Sequence, residues 1–351
     1  LQEDSHTIDV RDAGTTMRFL TGYFALTNQH KLLTGSPRMQ ERPIGILVEA
    51  LRSIGANIDF HSKAGYPPLE TKGFESQKTE RISIRGDVSS QYISSILMMA
   101  PVLPKGLEVE LTGKVMSRPY IEMTLSLMEH FGVLHNWQGN LITIPAQEYR
   151  PTTLTIESDW SAASYWYSLV ALSKEAEVTI LGLQQHSFQG DRQIADIMKL
   201  LGVNTNFHQD GLTISKGAKS SDNISWDFSS CPDLGQTVMA TCAALGVQLA
   251  ATGLESLYIK ETDRITAMKT ELGKLGVELE EQQGLWHLHP NSVNRNKPVS
   301  FRTYDDHRMA MALAPLALKL PITIEDPDVV QKSYPGFWKD LALAGVVGLI
   351  D

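Results

Sequence analysis

The sequence predicts an α/β fold built from a repeat of about 73 residues. The first observation is an aspartate, followed by small or polar residues and an apolar helical pattern, which recurs at Asp12, Asp87, Asp159, Asp233 and Asp306. Successive copies are 75, 72, 74 and 73 residues apart, a regularity that chance would not produce. The second observation is that amphipathic helices and short apolar runs recur between these copies. Each unit is therefore expected to run helix, strand, helix, strand, strand.

The helix in the second half of a unit is predicted from apolar residues at helical spacing. Ile194, Ile197, Met198 and Leu201 show this pattern in the third unit. Four such helices are expected to end at a glycine, which adopts a left-handed backbone without strain. The four glycines are Gly55, Gly132, Gly202 and Gly276. Short apolar runs follow and predict strands at 141–144, 212–214 and 285–288.

The recurrent aspartates lie where helix N-caps are expected, because a carboxylate there accepts hydrogen bonds from free backbone N–H groups. We interpret most of them as structural caps. The same helix N-termini are weak anion sites through their free N–H groups and their dipoles. Five N-termini would converge on one region if the repeats pack symmetrically.

The repeat count predicts two domains. The three units that begin at Asp159, Asp233 and Asp306 are expected to form a second domain, residues 157–351. The two preceding units would form a first domain, residues 1–156, which is one unit short. The odd count and the start at Leu1 lead us to expect that a first unit of roughly 75 residues is missing.

Composition narrows the functional class. The chain has 351 residues, of which 42% are hydrophobic and 20% charged, as in soluble globular proteins. Its formal net charge of −9 argues against nucleic-acid binding, and no apolar run approaches the length of a membrane span. Cys231 and Cys242 fit neither a disulfide framework nor a zinc pattern, so we expect buried free thiols and a cytoplasmic, reducing location. No metal or organic cofactor is indicated.

Three segments are dense in charge for their apolar surroundings: residues 37–43, 260–264 and 305–308. Arginine in these segments suits carboxylate and phosphate, because its planar guanidinium donates two parallel hydrogen bonds. Any one segment taken alone is more simply a solvated helix start with surface ion pairs. Their corresponding places in the repeat favour an anion site instead.

Eight segments, in the same order and over nearly the whole chain, resemble the signature segments of 5-enolpyruvylshikimate-3-phosphate synthases. They are residues 12–20, 37–45, 88–100, 117–132, 159–165, 259–265, 304–314 and 332–337. The resemblance implies an inside-out α/β barrel of two domains, each of three βαβαββ units, with the active site in the cleft between them. It also implies that the missing first unit carries the family's Lys-Ser-x-Ser-Asn-Arg motif.

The resemblance further implies the residues that bind the two substrates. Four cations around a small trianion are physically reasonable, because a water-poor site strengthens each interaction. The phosphoenolpyruvate pocket is expected to contain Gly14, Thr15, Arg42, Gln91, Arg264, Arg308 and Lys332. Shikimate 3-phosphate is expected to contact Ser89, Ser90, Gln91, Ser117, Tyr120, Asp233 and Lys260. Glyphosate is expected to compete at the first pocket, and the protein is expected to be a monomer.

The implied reaction moves the enolpyruvyl group of phosphoenolpyruvate to the 5-hydroxyl of shikimate 3-phosphate. It needs a base near the hydroxyl and an acid near the methylene carbon. Asp233 is assigned to the hydroxyl, Glu261 and Lys332 to the carbon end, and His307 to a supporting role. The sequence leaves open which of Glu261 and Lys332 donates the proton.

Two departures from the family pattern and two rival functions remain. Asp12 replaces the usual asparagine, and Ser256 stands where some relatives have an asparagine. The related UDP-N-acetylglucosamine enolpyruvyl transferase is disfavoured because the loop 36–42 lacks the reactive cysteine of that family. The other alternative is an inactive fragment or a non-catalytic ligand-binding module of the same fold.

Overall fold

Helices alternate with short strands along most of the chain. The computed structural model describes residues 6–115, 118–290 and 297–346. Contacts between residues divide the chain into unit 1, Leu1–Leu154, and unit 2, Thr155–Asp351. No helix in the described ranges is long and apolar enough to cross a membrane.

Unit 1 contains two copies of the repeat. Its strands are β1 Thr7–Asp9, β2 His30–Thr34, β3 Ala56–Phe60, β4 Leu69–Phe74, β5 Arg81–Arg85, β6 Leu107–Thr112, β7 Asn136–Gln138 and β8 Leu141–Ile144. Its helices are α1 Gly14–Leu26, α2 Pro37–Gln40, α3 Gly45–Ile54, α4 Ser90–Met99 and α5 Arg118–His130. The two sheets share one topology, with the orders β1-β2-β4-β3 and β5-β6-β8-β7. In each sheet a helix joins a parallel pair and two antiparallel strands complete the sheet, which is a βαβαββ unit.

The described residues of unit 2 contain one complete further copy and parts of two others. Its strands are β9 Glu177–Leu181, β10 Val203–His208, β11 Gly211–Lys216, β12 Asn223–Asp227, β13 Gln248–Thr252, β14 Glu278–Gln282, β15 Leu285–His289, β16 Val299–Phe301 and β17 Ile322–Ile324. Its helices are α6 Trp160–Leu172, α7 Ile194–Leu200, α8 Gly235–Leu245, α9 Arg264–Gly273, α10 His307–Leu313 and α11 Phe337–Leu343. The middle sheet, β12-β13-β15-β14, repeats the topology of unit 1. The described parts of its neighbours form a three-stranded sheet, β10-β11-β9, and a two-stranded sheet, β16-β17.

The helices that open the repeats pack against one another inside unit 2. The Ser164 and Thr237 hydroxyls lie 3.2 Å apart, and those of Ser168 and Thr241 lie 2.7 Å apart. Both pairs are 73 residues apart in the sequence. Equivalent positions of α6 and α8 therefore meet, and this arrangement brings the N-terminal ends of the repeat helices together.

Buried apolar side chains fill each unit separately. Leu33, Leu47 and Ile93 are among those at 0% exposure in unit 1, and Trp160 and Met239 among those in unit 2. Each such side chain contributes about 1.5–3 kcal/mol by leaving water. The core thus fixes the helix and strand ends from which the polar side chains described below extend.

The predicted helix ends at Gly55, Gly132 and Gly202 and the predicted strands are confirmed, whereas α9 ends at Gly273, three residues before the predicted Gly276. Both cysteines are buried and free. Gly132 and Gly202, which follow α5 and α7, have φ angles of 81° and 88°, the conformation in which glycine is unstrained. The predicted strand at 141–144 is β8.

The N-cap prediction is right for two of the five aspartates. Asp159 and Asp306 cap α6 and α10. It is wrong for Asp12, Asp87 and Asp233, whose carboxylates have other partners. Asp12 accepts from the Ser36 hydroxyl, Asp87 pairs with Arg85, and Asp233 forms ion pairs with cations of unit 2.

Candidate active site

Arg264 is the centre of a buried ion-pair network in unit 2. It is the first residue of α9 and is 1% exposed. Its Nε donates to Asp306 at 2.7 Å, and its Nη1 donates to Asp233 at 3.0 Å. Its Nη2 donates to Glu261 at 2.7 Å and to the second oxygen of Asp306 at 3.2 Å. Carboxylates therefore occupy most of the five N–H donors of the guanidinium.

The repeat explains why these residues meet. Asp306 caps α10, and Asp233 lies in the 3-10 turn Pro232–Leu234 that precedes α8. Glu261 lies two residues before Asp263, the N-cap of α9. Because the repeat helices of unit 2 lie side by side, the residues at their N-terminal ends come together although 73 positions separate Asp233 from Asp306.

Asp233 is shared by three cations. It lies 3.0 Å from Arg264 Nη1, 3.2 Å from Arg308 Nη2 and 3.4 Å from Lys260 Nζ. Burial by itself would raise the pKa of Asp233, but Arg308, Lys260 and Arg264 outweigh burial and hold that pKa well below its ordinary value. The carboxylate is therefore ionised at neutral pH.

Glu261 joins Lys332 to the same network. Lys332 Nζ donates to Glu261 Oε1 at 2.8 Å, while the other oxygen of Glu261 accepts from Arg264. Burial opposes ionisation here too, yet Arg264 and Lys332 together hold the pKa of Glu261 below its ordinary value. At neutral pH Glu261 therefore carries no proton.

His307 follows Asp306 at the start of α10 and is 6% exposed. Burial and the neighbouring charge of Arg308 lower its pKa from 6.5 to about 4, so the imidazole is neutral at pH 7. Its Nδ1 has no hydrogen-bond partner in the described part of the chain.

Replacing His307 with glutamine is expected to weaken the acid sensitivity of the fold. The pKa of His307 is about 4 when folded and about 6.5 when unfolded, so the unfolded chain binds more protons between these values and stability falls as the pH falls. Between pH 7 and pH 5, His307 lowers the free energy of unfolding by about 2 kcal/mol. Urea unfolding at the two pH values would measure this loss. The exposed His208→Gln variant serves as control, and equal pH dependence in all three proteins would contradict this prediction.

Unit 1 brings a second set of predicted residues together. Gly14 begins α1, and a Cβ placed on it would lie 2.2 Å from Arg18 Nη1 and 2.7 Å from Arg42 Nη1. The absence of a side chain at Gly14 therefore makes room for two guanidinium groups. Thr15 accepts a 2.8 Å hydrogen bond from Gln91 Nε2, which connects α1 to the start of α4.

The remaining predicted residues of unit 1 lie at two helix starts. Ser89 is the N-cap of α4 and accepts from the backbone N–H of Gln91, while Ser90 is the first residue of that helix. Tyr120 lies in the first turn of α5. Ser117 lies outside the described residues.

Sequence reasoning missed two buried polar residues beside these sets. Arg18 is 5% exposed and lies next to Gly14 and Arg42. Asp191 is 5% exposed and accepts a hydrogen bond from the hydroxyl of Ser161, to which Arg308 also donates. Arg18 follows Gly14 by one helical turn, a spacing that could have identified it. Asp191 has no counterpart among the recurrent aspartates.

Comparisons with known proteins identify the family. The family model for EPSP synthase (3-phosphoshikimate 1-carboxyvinyltransferase) matches residues 1–341. A 3-phosphoshikimate 1-carboxyvinyltransferase from Bacteroides fragilis (strain ATCC 25285) is 47% identical over 348 residues, which cover 98% of this chain and 85% of the relative. One from Haemophilus influenzae (strain PittEE) is 35% identical over 345 residues, 96% of this chain and 79% of the relative.

The fold class is confirmed by solved structures. An EPSP synthase from Acinetobacter baumannii superposes with a TM-score of 0.78 at 21% identity, covering 98% of this chain and 80% of that one. Sequence and fold thus give the same answer: the chain belongs to the EPSP synthase (3-phosphoshikimate 1-carboxyvinyltransferase) family.

Proposed function

We propose that this chain transfers the enolpyruvyl group of phosphoenolpyruvate to the 5-hydroxyl of shikimate 3-phosphate, releasing phosphate. The observation that carries the proposal is the connected network of unit 2, in which four cations surround ionised carboxylates. The cations are Lys260, Arg264, Arg308 and Lys332. Their charges are held in place by the protein before any ligand binds, as stabilisation of an anionic transition state requires.

The proposal assigns residues of the chain to each of the two ligands. Gly14, Thr15, Arg42, Gln91, Arg264, Arg308 and Lys332 bind phosphoenolpyruvate. Ser89, Ser90, Gln91, Ser117, Tyr120, Asp233 and Lys260 bind shikimate 3-phosphate. The N-terminal end of α4, with Ser89 as its cap, supports phosphate binding because its free N–H groups and dipole attract anions.

The reaction is an addition followed by an elimination. In the addition, Asp233 takes the proton of the 5-hydroxyl, the oxygen attacks C2 of phosphoenolpyruvate, and the methylene carbon receives a proton. In the elimination, the bond from C2 to the phosphate oxygen breaks and the resulting methyl group loses a proton, which restores the double bond. Glu261 is ionised beside Lys332, so Lys332 is the proposed proton donor and Glu261 the group that orients it.

Substrate binding makes Asp233 a better base in this scheme. The three cations that hold the pKa of Asp233 low are the groups assigned to the anionic ligands. When phosphate and carboxylate groups of the substrates neutralise Arg308 and Lys260, the pKa of Asp233 rises towards the working pH. A base whose pKa lies near the working pH transfers protons most efficiently.

The proposal is tested by measuring phosphate release from phosphoenolpyruvate with shikimate 3-phosphate as acceptor. Release that needs both substrates is the expected result. Release with UDP-N-acetylglucosamine in place of shikimate 3-phosphate would favour the related transferase. Binding of both substrates without release would favour a non-catalytic module.

Replacing Gly14 with alanine is expected to raise the KM for phosphoenolpyruvate about tenfold or more. The new methyl group would push the ends of Arg18 and Arg42 away, and a hydrogen bond to a charged group contributes about 1.5–3 kcal/mol. Stability should change little, since flexible side-chain ends move easily. Gly273→Ala is the matched control because a Cβ at Gly273 meets open space. An unchanged KM in the Gly14 variant would contradict the assigned pocket.

Three further properties belong to the proposal. Glyphosate competes with phosphoenolpyruvate, because its anionic groups match the same cations. The protein acts as a monomer. Its location is the cytoplasm, which the buried free thiols of Cys231 and Cys242 support.

A further inference from the structure

Asp191 is a buried carboxylate that the proposed mechanism does not use. It lies in the 3-10 turn Gly190–Gln193, before α7. Its Oδ2 accepts a hydrogen bond from the Ser161 hydroxyl, and its Oδ1 has no partner among the described residues. A buried carboxylate with one unsatisfied oxygen is unfavourable, so a purely structural role would be served better by a neutral side chain.

Ser161 connects this carboxylate to Arg308. Its backbone N–H donates to Asp159 at 2.7 Å, which fixes the residue in the first turn of α6. Arg308 Nη2 donates to the Ser161 hydroxyl oxygen at 3.2 Å. A hydroxyl has one proton to donate and lone pairs to accept. When that proton points to Asp191, the lone pairs face Arg308.

We propose that Asp191 is a positioning residue, which orients Arg308 through the Ser161 hydroxyl for binding the anionic donor substrate. This inference rests on the proposed function, in which Arg308 binds phosphoenolpyruvate. The same Arg308 Nη2 lies 3.2 Å from Asp233, so the guanidinium is held from two sides. When a substrate anion competes with Asp233 for the guanidinium, the hydrogen bond from Arg308 to the Ser161 hydroxyl remains and keeps the guanidinium oriented.

The charges around Asp191 make this arrangement sensitive to pH. Asp159 at the start of α6 and Asp233 before α8 add negative charge, Arg308 of α10 adds positive charge, and the Cys231 thiol is close enough to interact electrostatically with the same carboxylate. Burial and Asp233 raise the pKa of Asp191 to about 6. Above pH 6 the ionised carboxylate binds the hydroxyl proton strongly, and below pH 6 the protonated acid binds it more weakly.

Steady-state kinetics of Ser161→Ala and Asp191→Asn test the proposal. At pH 7.5 we expect kcat/KM for phosphoenolpyruvate to fall about tenfold in Ser161→Ala and about threefold in Asp191→Asn, with the KM for shikimate 3-phosphate unchanged. The Asp191→Asn deficit should vanish below pH 6, where the wild-type carboxyl is neutral too. The double variant should be no worse than Ser161→Ala, because Asp191 acts through the hydroxyl. Ser173→Ala, at the far end of α6, is the control.

Several outcomes would overturn the proposal. Equal kcat/KM for phosphoenolpyruvate in wild type and Ser161→Ala would do so, as would additive losses in the double variant. If the wild type shows no turnover, the proposed function fails and the comparison moves to the Kd of phosphoenolpyruvate by calorimetry. Equal Kd values in wild type and Ser161→Ala would then reject the positioning role independently. Circular dichroism checks that each variant is folded, and Asp191→Asn, which preserves size and an acceptor oxygen, provides a second test if Ser161→Ala unfolds.

Discussion

Replacing Arg264 with methionine is expected to destabilise the protein by about 3–5 kcal/mol and to abolish turnover. The guanidinium is 1% exposed and donates to Asp306, Asp233 and Glu261. Without it, three carboxylates share a buried region, and Asp306, which is fully buried, loses both of its hydrogen bonds from Arg264. Urea unfolding at pH 7 would measure the loss.

A second substitution separates loss of charge balance from loss of packing. Asp306→Asn removes the uncompensated charge, while asparagine still caps a helix well. The double variant should therefore regain about half of the stability lost in Arg264→Met. Arg81→Met is the matched control, since Arg81 is half exposed and its ion pairs with Glu108 and Glu110 lie on a strand surface. An Arg264→Met protein as stable as the Arg81→Met protein would contradict the network.

Replacing Lys332 with methionine is expected to lower kcat about 10²–10⁴-fold, the usual loss when a positioned proton donor is removed. Lys332 is a third exposed on its side-chain surface and pairs with Glu261 at 2.8 Å, so the fold should tolerate the change. Losing the ammonium also removes one of the charges that hold the pKa of Glu261 low. The acidic limb of the kcat profile should therefore move to higher pH.

The control for this variant is Lys339→Met, an exposed lysine of α11 in the same unit. Its kcat and pH profile should match those of the wild type. If Lys332→Met keeps more than a tenth of wild-type kcat, the lysine binds substrate without donating the proton. Another group would then have to donate the proton to the methylene carbon of phosphoenolpyruvate.

The sequence could predict the repeat and the residue types of the site, but not how the charges pair. Spacing places Gly132 and Gly202 at helix ends and identifies β8, because these depend on local backbone preferences. The pairing of Asp233 with Arg308 is set by the packing of α8 against α10, a contact that no local pattern encodes. The prediction that Asp233 caps a helix was wrong for the same reason, because a cap is predicted only from residues that are neighbours in the chain.

Asp191 and Ser161 show most clearly which contacts the sequence alone could not predict. The sequence predicts that Ser161 is an ordinary residue in the first turn of a helix and that Asp191 is a charged residue in a polar turn. Only the folded chain brings them into contact across 30 positions and places Arg308 beside them. A buried acid in a short turn outside the repeat pattern gives no signal in a single sequence.

The mass spectrum of the product formed in D₂O shows whether the methylene carbon of phosphoenolpyruvate is protonated during turnover. If the network in unit 2 protonates and then deprotonates the methylene carbon, the product from phosphoenolpyruvate and shikimate 3-phosphate will carry deuterium in its enolpyruvyl methylene group. The Lys332→Met protein should form that product at least about a hundredfold more slowly. A product without deuterium, or no product from wild-type protein that binds both substrates, would contradict the account.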